Sequence, residues 1–397
     1  MPIRAVSASA VAGMTMVTIG SMTANVASYL LHLPASRLLG VEGYGEFASL
    51  LAAQLVLAVP ALALQSVIAR EVVHGRSRRS LRGLGYRCAA VVAVLAVLCA
   101  PVVAYALDTG VLATTSALVV APMLVVLATE QGLLQGSARF GRLSIVLASA
   151  GFGKVVPAVV ALALGAGPGV VLAASAAGTG AVALAARLLD GASDDAEALR
   201  IGVGTVLQAS QVQLALIALS SVDLMLARGQ LSSEDAGLYA LGAVATKAAF
   251  WLPQAVGVVL YPRMANPVQS GAALRSALAV VAGIGAVLIL GSVVAAGLVP
   301  IVVGEDYAAV QGYLWIFAVQ GACLAVLQSA LLWAIAGERT TLALVAWVGL
   351  LVEVVLLTFV ATTVLQFVVV AASVAAVCAV VMSAVALGAS RHVHENT

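Results

Sequence analysis

The sequence predicts an all-α polytopic membrane protein of about 12 transmembrane helices, built as two parallel six-helix repeats. Three observations carry this. Of the 397 residues, 63% are hydrophobic and 9% are charged, whereas a soluble domain is nearer half apolar and a quarter charged. The apolar residues fall in continuous runs of helical length, not in the alternation of a lipid-facing strand. Residues of the first half also reappear in the second at a nearly constant offset. Composition alone excludes a soluble enzyme, a secreted disulfide scaffold and a disordered regulator.

A bilayer core about 30 Å thick needs about 20 apolar residues per helical span. Windows of that kind lie at 8–33, 46–69, 88–107, 111–134, 143–164, 170–188, 202–226, 238–262, 275–300, 312–336, 342–361 and 366–389. The first follows Arg4 and runs to about Leu33, longer than the apolar core of a signal peptide, so it reads as the first span. The connecting segments are too short to hold a soluble domain. Cys88, Cys99, Cys323 and Cys378 all sit within or at the ends of apolar runs and read as packing residues, not a disulfide or metal set.

Basic residues are retained on the cytoplasmic side. With the N-terminus inside, the inner segments hold Arg4, Arg70, Arg76, Arg78, Arg79, Arg82, Arg87, Arg139, Arg142, Arg187, Arg200, Arg263, Arg275, Arg339 and Arg391, and the outer ones only Arg37 and Arg228. Both termini are therefore expected in the cytoplasm. The run from Arg76 to Arg87 reads as topology and attraction to anionic lipid, with docking of a glycan-synthesis protein as the less favoured use.

The repeat shows in ordered matches. Gly45 and Phe47 match Gly237 and Tyr239 at an offset of 192, Glu42 matches Glu234, and Pro60 and Arg70 match Pro253 and Arg263 at 193. Arg139 and Arg339 close the fourth and tenth windows at 200. Six helices per copy is an even number, so both copies enter the membrane the same way, with a central site expected between lobes 1–195 and 196–397.

The outer segment RLLGVEGYGEF (37–47) and VDLMLAR…LSSEDAGLYAL (222–241) resemble the polysaccharide and oligosaccharide flippases of the multidrug/oligosaccharidyl-lipid/polysaccharide exporter superfamily. YPRM (261–264), LLQGSARF (133–140) and GEDY (304–307) add to the likeness. The resemblance implies a two-lobed transporter in a bacterial plasma membrane, moving an undecaprenyl-diphosphate-linked oligosaccharide outward by alternating access. Twelve spans lack the extra pair of lipid II flippases, which counts against a peptidoglycan precursor as cargo.

Polar residues inside the spans are the candidate site. A charge at mid-bilayer costs about 2.5–3.5 kcal/mol on insertion scales and needs a partner or a watery cavity. Lys247, Trp251 and Gln254, at i, i+4 and i+7, share a helix face. A cation, an aromatic plate and an amide suit a phosphorylated sugar, although Lys247 could equally tie helices together. Ser21, Asn25, Ser28 and His32 form a stripe on the first helix that reads as cavity lining or as interhelical glue. Gln54 is the counterpart of Lys247 at 193; Lys154 and Glu353 match at 199; His32 and Asp223 match at 191. Lys154 is a substrate candidate that could instead bridge to Glu353, and Glu353, His32 and Asp223 are candidates for ion coupling. Arg37 and Arg228 stand at the outer ends.

Other strings fail. Gly151-Phe152-Gly153-Lys154 lacks the further glycine and the Ser/Thr of a phosphate loop, and Gly202-Val203-Gly204 lacks a third glycine. No residue pattern calls for a cofactor, a metal or nucleic acid. A drug or cation antiporter of the same superfamily is the alternative, one that should present carboxylates in its cavity. A membrane glycan polymerase or ligase is the remote one, needing a larger outer loop.

Overall fold

The computed structural model describes residues 8–189, 203–253, 256, 260, 263–264, 269–336 and 340–395. They are helical almost throughout. The first half runs α1 (Ala8–Leu30), α2 (His32–Leu57), α3 (Val59–Val73), α4 (Arg78–Ala106), α5 (Val111–Gly136), α6 (Phe140–Ala163) and α7 (Pro168–Leu189). The second runs α8 (Val203–Leu219), α9 (Val222–Gln230), α10 (Ser233–Trp251), α11 (Ser270–Ala295), α12 (Leu314–Ala336), α13 (Leu344–Phe359) and α14 (Val364–Glu395).

Among the described residues, nine helical runs are long and apolar enough to cross a membrane, or ten when Ser210–Leu219 and Val222–Gln230, bent by 42°, count as one broken span. One run, Ile19–Val73, has 55 residues. At 1.5 Å per residue a straight helix of that length would exceed twice the bilayer core, so it supplies two crossings. The helix Ser233–Trp251, which carries Glu234, Asp235 and Lys247, completes a set of twelve.

The expected outer segment at 34–45 is helical, not a loop. Helix α2 changes direction inside it at Gly40, whose φ of 69° lies in the left-handed region that a residue without Cβ adopts cheaply. The break between α2 and α3 falls at Ala58, with Pro60 in the first turn of α3, where a missing N–H costs nothing. Ser77 caps α4 by accepting from the Ser80 amide, and Ser232 caps α10 by accepting from the Asp235 amide at 3.1 Å.

The chain packs as two compact units. One comprises Met1–Leu39 and Ala53–Ser210; the other comprises Gly40–Ala52 and Gln211–Thr397. In the first, α5 is the central helix, packed by α3, α4 and α7, while α1 lies along α6. In the second, α12 is central, packed by α10, α11 and α14, while α9 and α14 flank α13. The two central helices, Val111–Gly136 and Leu314–Ala336, end 200 residues apart, and each is buried on more than one side, its few polar residues such as Glu130 and Gln320 included.

Candidate functional site

Lys247 projects from α10 toward the bend between α8 and α9. Its Nζ donates to Ser221 Oγ at 2.6 Å, to Ser220 Oγ at 3.1 Å and to the Ser220 carbonyl. The chemistry of the bend explains why that carbonyl is available. In an unbroken helix Ser220 O would accept from the amide of Leu224, but Asp223 Oδ1 takes that amide at 2.8 Å. The lysine thus satisfies a carbonyl the helix has left open, as groups at helix ends require.

Asp223 is 2% exposed and fully engaged: its Oδ2 accepts from Tyr239 Oη and from Gln320 Nε2, both at 2.8 Å. Thr246 Oγ1 lies 3.1 Å from Gln320 Oε1 and 2.9 Å from the Phe317 carbonyl, which holds the amide in place. Tyr239 is wedged edge-on against Phe317 and Phe367, with ring centroids 5.0 and 5.9 Å away. Glu353, on α13, is 1% exposed, and neither of its carboxylate oxygens has a hydrogen-bond partner among the described residues. The carboxylates of Asp223 and Glu353 both act on the Lys247 ammonium. One lysine and two acids therefore share a buried locus in the second unit.

The first unit is arranged differently. Met16 O accepts from Ser144 Oγ at 2.7 Å, Gly20 lies on Ser144, and Gly151 lies on Ala24, where an added Cβ would fall 2.5 Å from Ala24 Cα. Contacts rise together along both helices, so α1 and α6 run in the same sense. Lys154, three residues beyond Gly151, comes alongside the end of α1, and its charge acts on His32. Both side chains are half-buried. Among the described residues no carboxylate pairs with Lys154.

The remaining sequence candidates are scattered. Asn25 is exposed, Ser21 and Ser28 are half-buried, and Ser28 Oγ donates to Ala24 O of its own helix at 2.9 Å. Gln54 is 4% exposed and belongs to the first unit. Trp251 is half-buried, packs against the core around Leu274 and Leu324, and meets Phe250 edge-on at 5.2 Å. Gln254 lies outside the described residues. Arg37 is exposed and Arg228 half-buried.

Sequence reasoning missed one buried charge network. Arg82 Nε and Nη2 each donate at 2.9 Å to the two oxygens of Glu130, with Arg187 Nε 3.9 Å from the same carboxylate. Both partners of the bidentate pair are buried, so Arg82 is not the lipid anchor that its place in the Arg76–Arg87 run suggested. Glu130 stands within the fourth apolar window, and that position was the available signal.

No known protein family matches the sequence, and no curated protein is similar to it. Solved structures do match. An inward-facing multidrug resistance MATE family transporter of the MOP superfamily aligns over 97% of this chain and 99% of its own, at a TM-score of 0.68 and 12% identity. The chain has the fold of that transporter. The lipid II flippase MurJ, in an inward closed conformation, aligns with this chain at a TM-score of 0.66 and 10% identity, over 93% of it and 86% of MurJ. The eukaryotic MATE transporter AtDTX14 aligns at 0.60 and 14% identity, over 97% of both chains.

Proposed function

We propose that this protein is a bacterial plasma-membrane transporter that flips an undecaprenyl-diphosphate-linked oligosaccharide from the inner to the outer leaflet for surface polysaccharide assembly. The observation that carries the reading is Lys154, an intramembrane cation with no counter-ion among the described residues, in a chain with the MOP fold. A charge within a span is costly and points to a pathway or a site, and a cation with no acid beside it favours anionic cargo. In this reading lobes 1–195 and 196–397 alternate in exposing the cargo, both termini are cytoplasmic, and Asp223 and Glu353 carry the coupling ion. Glycan-synthesis proteins at the inner face are the proposed partners.

A second reading, export of an organic cation, draws on Asp223 and Glu353, two buried acids of the kind such cargo needs. Cells lacking the protein separate the two. Loss of surface glycan with unchanged drug tolerance supports the flippase, whereas increased sensitivity to cationic drugs with normal surface glycan overturns it in favour of the antiporter.

A further inference from the structure

The repeat places residues of opposite charge at matched positions. His32 corresponds to Asp223 and Lys154 to Glu353, at offsets of 191 and 199. His32 opens α2 just beyond the end of α1, which packs along the α6 of Lys154, and Asp223 lies on α9, which packs against the α13 of Glu353. The second unit thus brings two acids near each other, where the first brings a histidine near a lysine.

The lysines differ just as sharply. Lys247 is consumed within its own unit: Ser220 and Ser221 take its N–H groups, and Asp223 and Glu353 balance its charge. An ammonium with three oxygen partners and two acids nearby has little left for an incoming anion. Lys154, half-buried, makes no hydrogen bond and no ion pair with a described residue. Its position is fixed, because the close backbone approach at Gly151 and Ala24 leaves α6 no room to rotate away from α1.

We infer that Lys154, with His32 beside it, forms an anion-binding locus in the first unit whose ligand is a phosphate ester or diphosphate, and that Lys247 is not the cargo cation. This rests on the flippase reading for its lipid-linked ligand, although the anion chemistry stands without it. Lysine supplies a point charge that releases phosphate more readily than the bidentate fork of arginine.

The test measures binding to the purified full chain, with undecaprenyl diphosphate and inorganic pyrophosphate as separate probes and undecaprenol as the uncharged control. Lys154→Gln should weaken binding of the charged probes about tenfold, the scale of one charge-assisted hydrogen bond. Lys154→Arg should keep most of it, His32→Gln should lose less, and Lys247→Gln should change it by less than twofold. Unchanged binding with Lys154→Gln in a protein of wild-type melting temperature overturns the assignment, and so does a tenfold loss with Lys247→Gln once binding is scaled to the folded fraction. Pyrophosphate binding as tightly as undecaprenyl diphosphate, with Lys154 needed for both, keeps the locus and sinks its lipid ligand. Surface glycan in cells carrying Lys154→Gln separates the two ideas: lost binding with normal glycan refutes the flippase reading while the anion locus holds.

Discussion

Gly45 and Gly237, which match across the repeat at an offset of 192, lie against each other within the second unit. A Cβ built on Gly45 would fall 3.0 Å from the Gly237 nitrogen, and one on Gly237 would run into the Val41 carbonyl. Gly237 is the nearest obstacle to Gly45 and Val41 the nearest to Gly237, so 41–45 and α10 meet backbone to backbone. Nearby, Tyr44 and Tyr307 meet edge-on at 6.2 Å, and Tyr307 Oη donates to the Gly40 carbonyl at 3.4 Å. The segment after the Gly40 turn is thereby held by α10 and by the 305–313 stretch.

Gly237→Ala should therefore destabilise the protein by about 1–3 kcal/mol, the range for overpacking a filled site. Gly83→Ala is the control, since nothing lies within 4 Å of an added Cβ there, and removing a helical glycine should leave stability level or raise it by up to about 1 kcal/mol. Thermal unfolding in detergent reads both, and a Gly237→Ala melt equal to wild type would refute the close approach.

The Arg82–Glu130 pair should behave as a buried ion pair. Removing either partner leaves the other charge buried, at about 3–5 kcal/mol, while replacing both with apolar residues of similar volume is near neutral. Arg82→Ala and Glu130→Ala should each cut folded yield, and Arg82→Met with Glu130→Leu should restore it. A double variant as poor as the sum of the singles would mean the two side chains do not act as a pair.

How much of this was legible in the sequence depends on what each feature rests on. Span count, fold class and the repeat could be read directly, because lipid forces apolarity along each helix and duplication preserves spacing; Gly45 and Gly237 stand out on both counts. Pairings could not. Glu130 meets Arg82 from 48 residues away, and no local pattern encodes that distance. Lys247 looked like a site cation because its acceptors, Ser220 and Ser221, belong to another helix and become available only where Asp223 draws the Leu224 amide away. The Ser-Ser-Val-Asp run at 220–223 is the trace such a break leaves, since serine and aspartate compete with a helix for its own backbone. Reading 34–45 as a loop failed because its three glycines and Pro34 look like breakers, whereas the chain bends only at Gly40 and stays helical on both sides.

Orientation gives a direct expectation. A reporter fused after Ser80 should be cytoplasmic and one after Asp235 external, because the arginines cluster on the side where α3 ends and α4 begins. An external signal at Ser80 would invert the assignment of every inner segment.

The last prediction concerns Lys247 as the cation that Asp223 and Glu353 both act on. Lys247→Met deletes the donor of the Ser220 carbonyl and the cation facing Asp223 and Glu353 together. Asp223 retains Tyr239, Gln320 and the Leu224 amide, so its own hydrogen bonds survive. Glu353 has no hydrogen bonds to fall back on. Lys247→Met should thus lower stability by about 3–5 kcal/mol, the cost of stranding a buried charge, and Glu353→Gln in the same chain should recover part of that loss. Melting temperatures of the two single variants and the double variant form the cycle that isolates the coupling. If Glu353→Gln recovers nothing, the lysine serves the bend alone and its charge is not what Glu353 answers to.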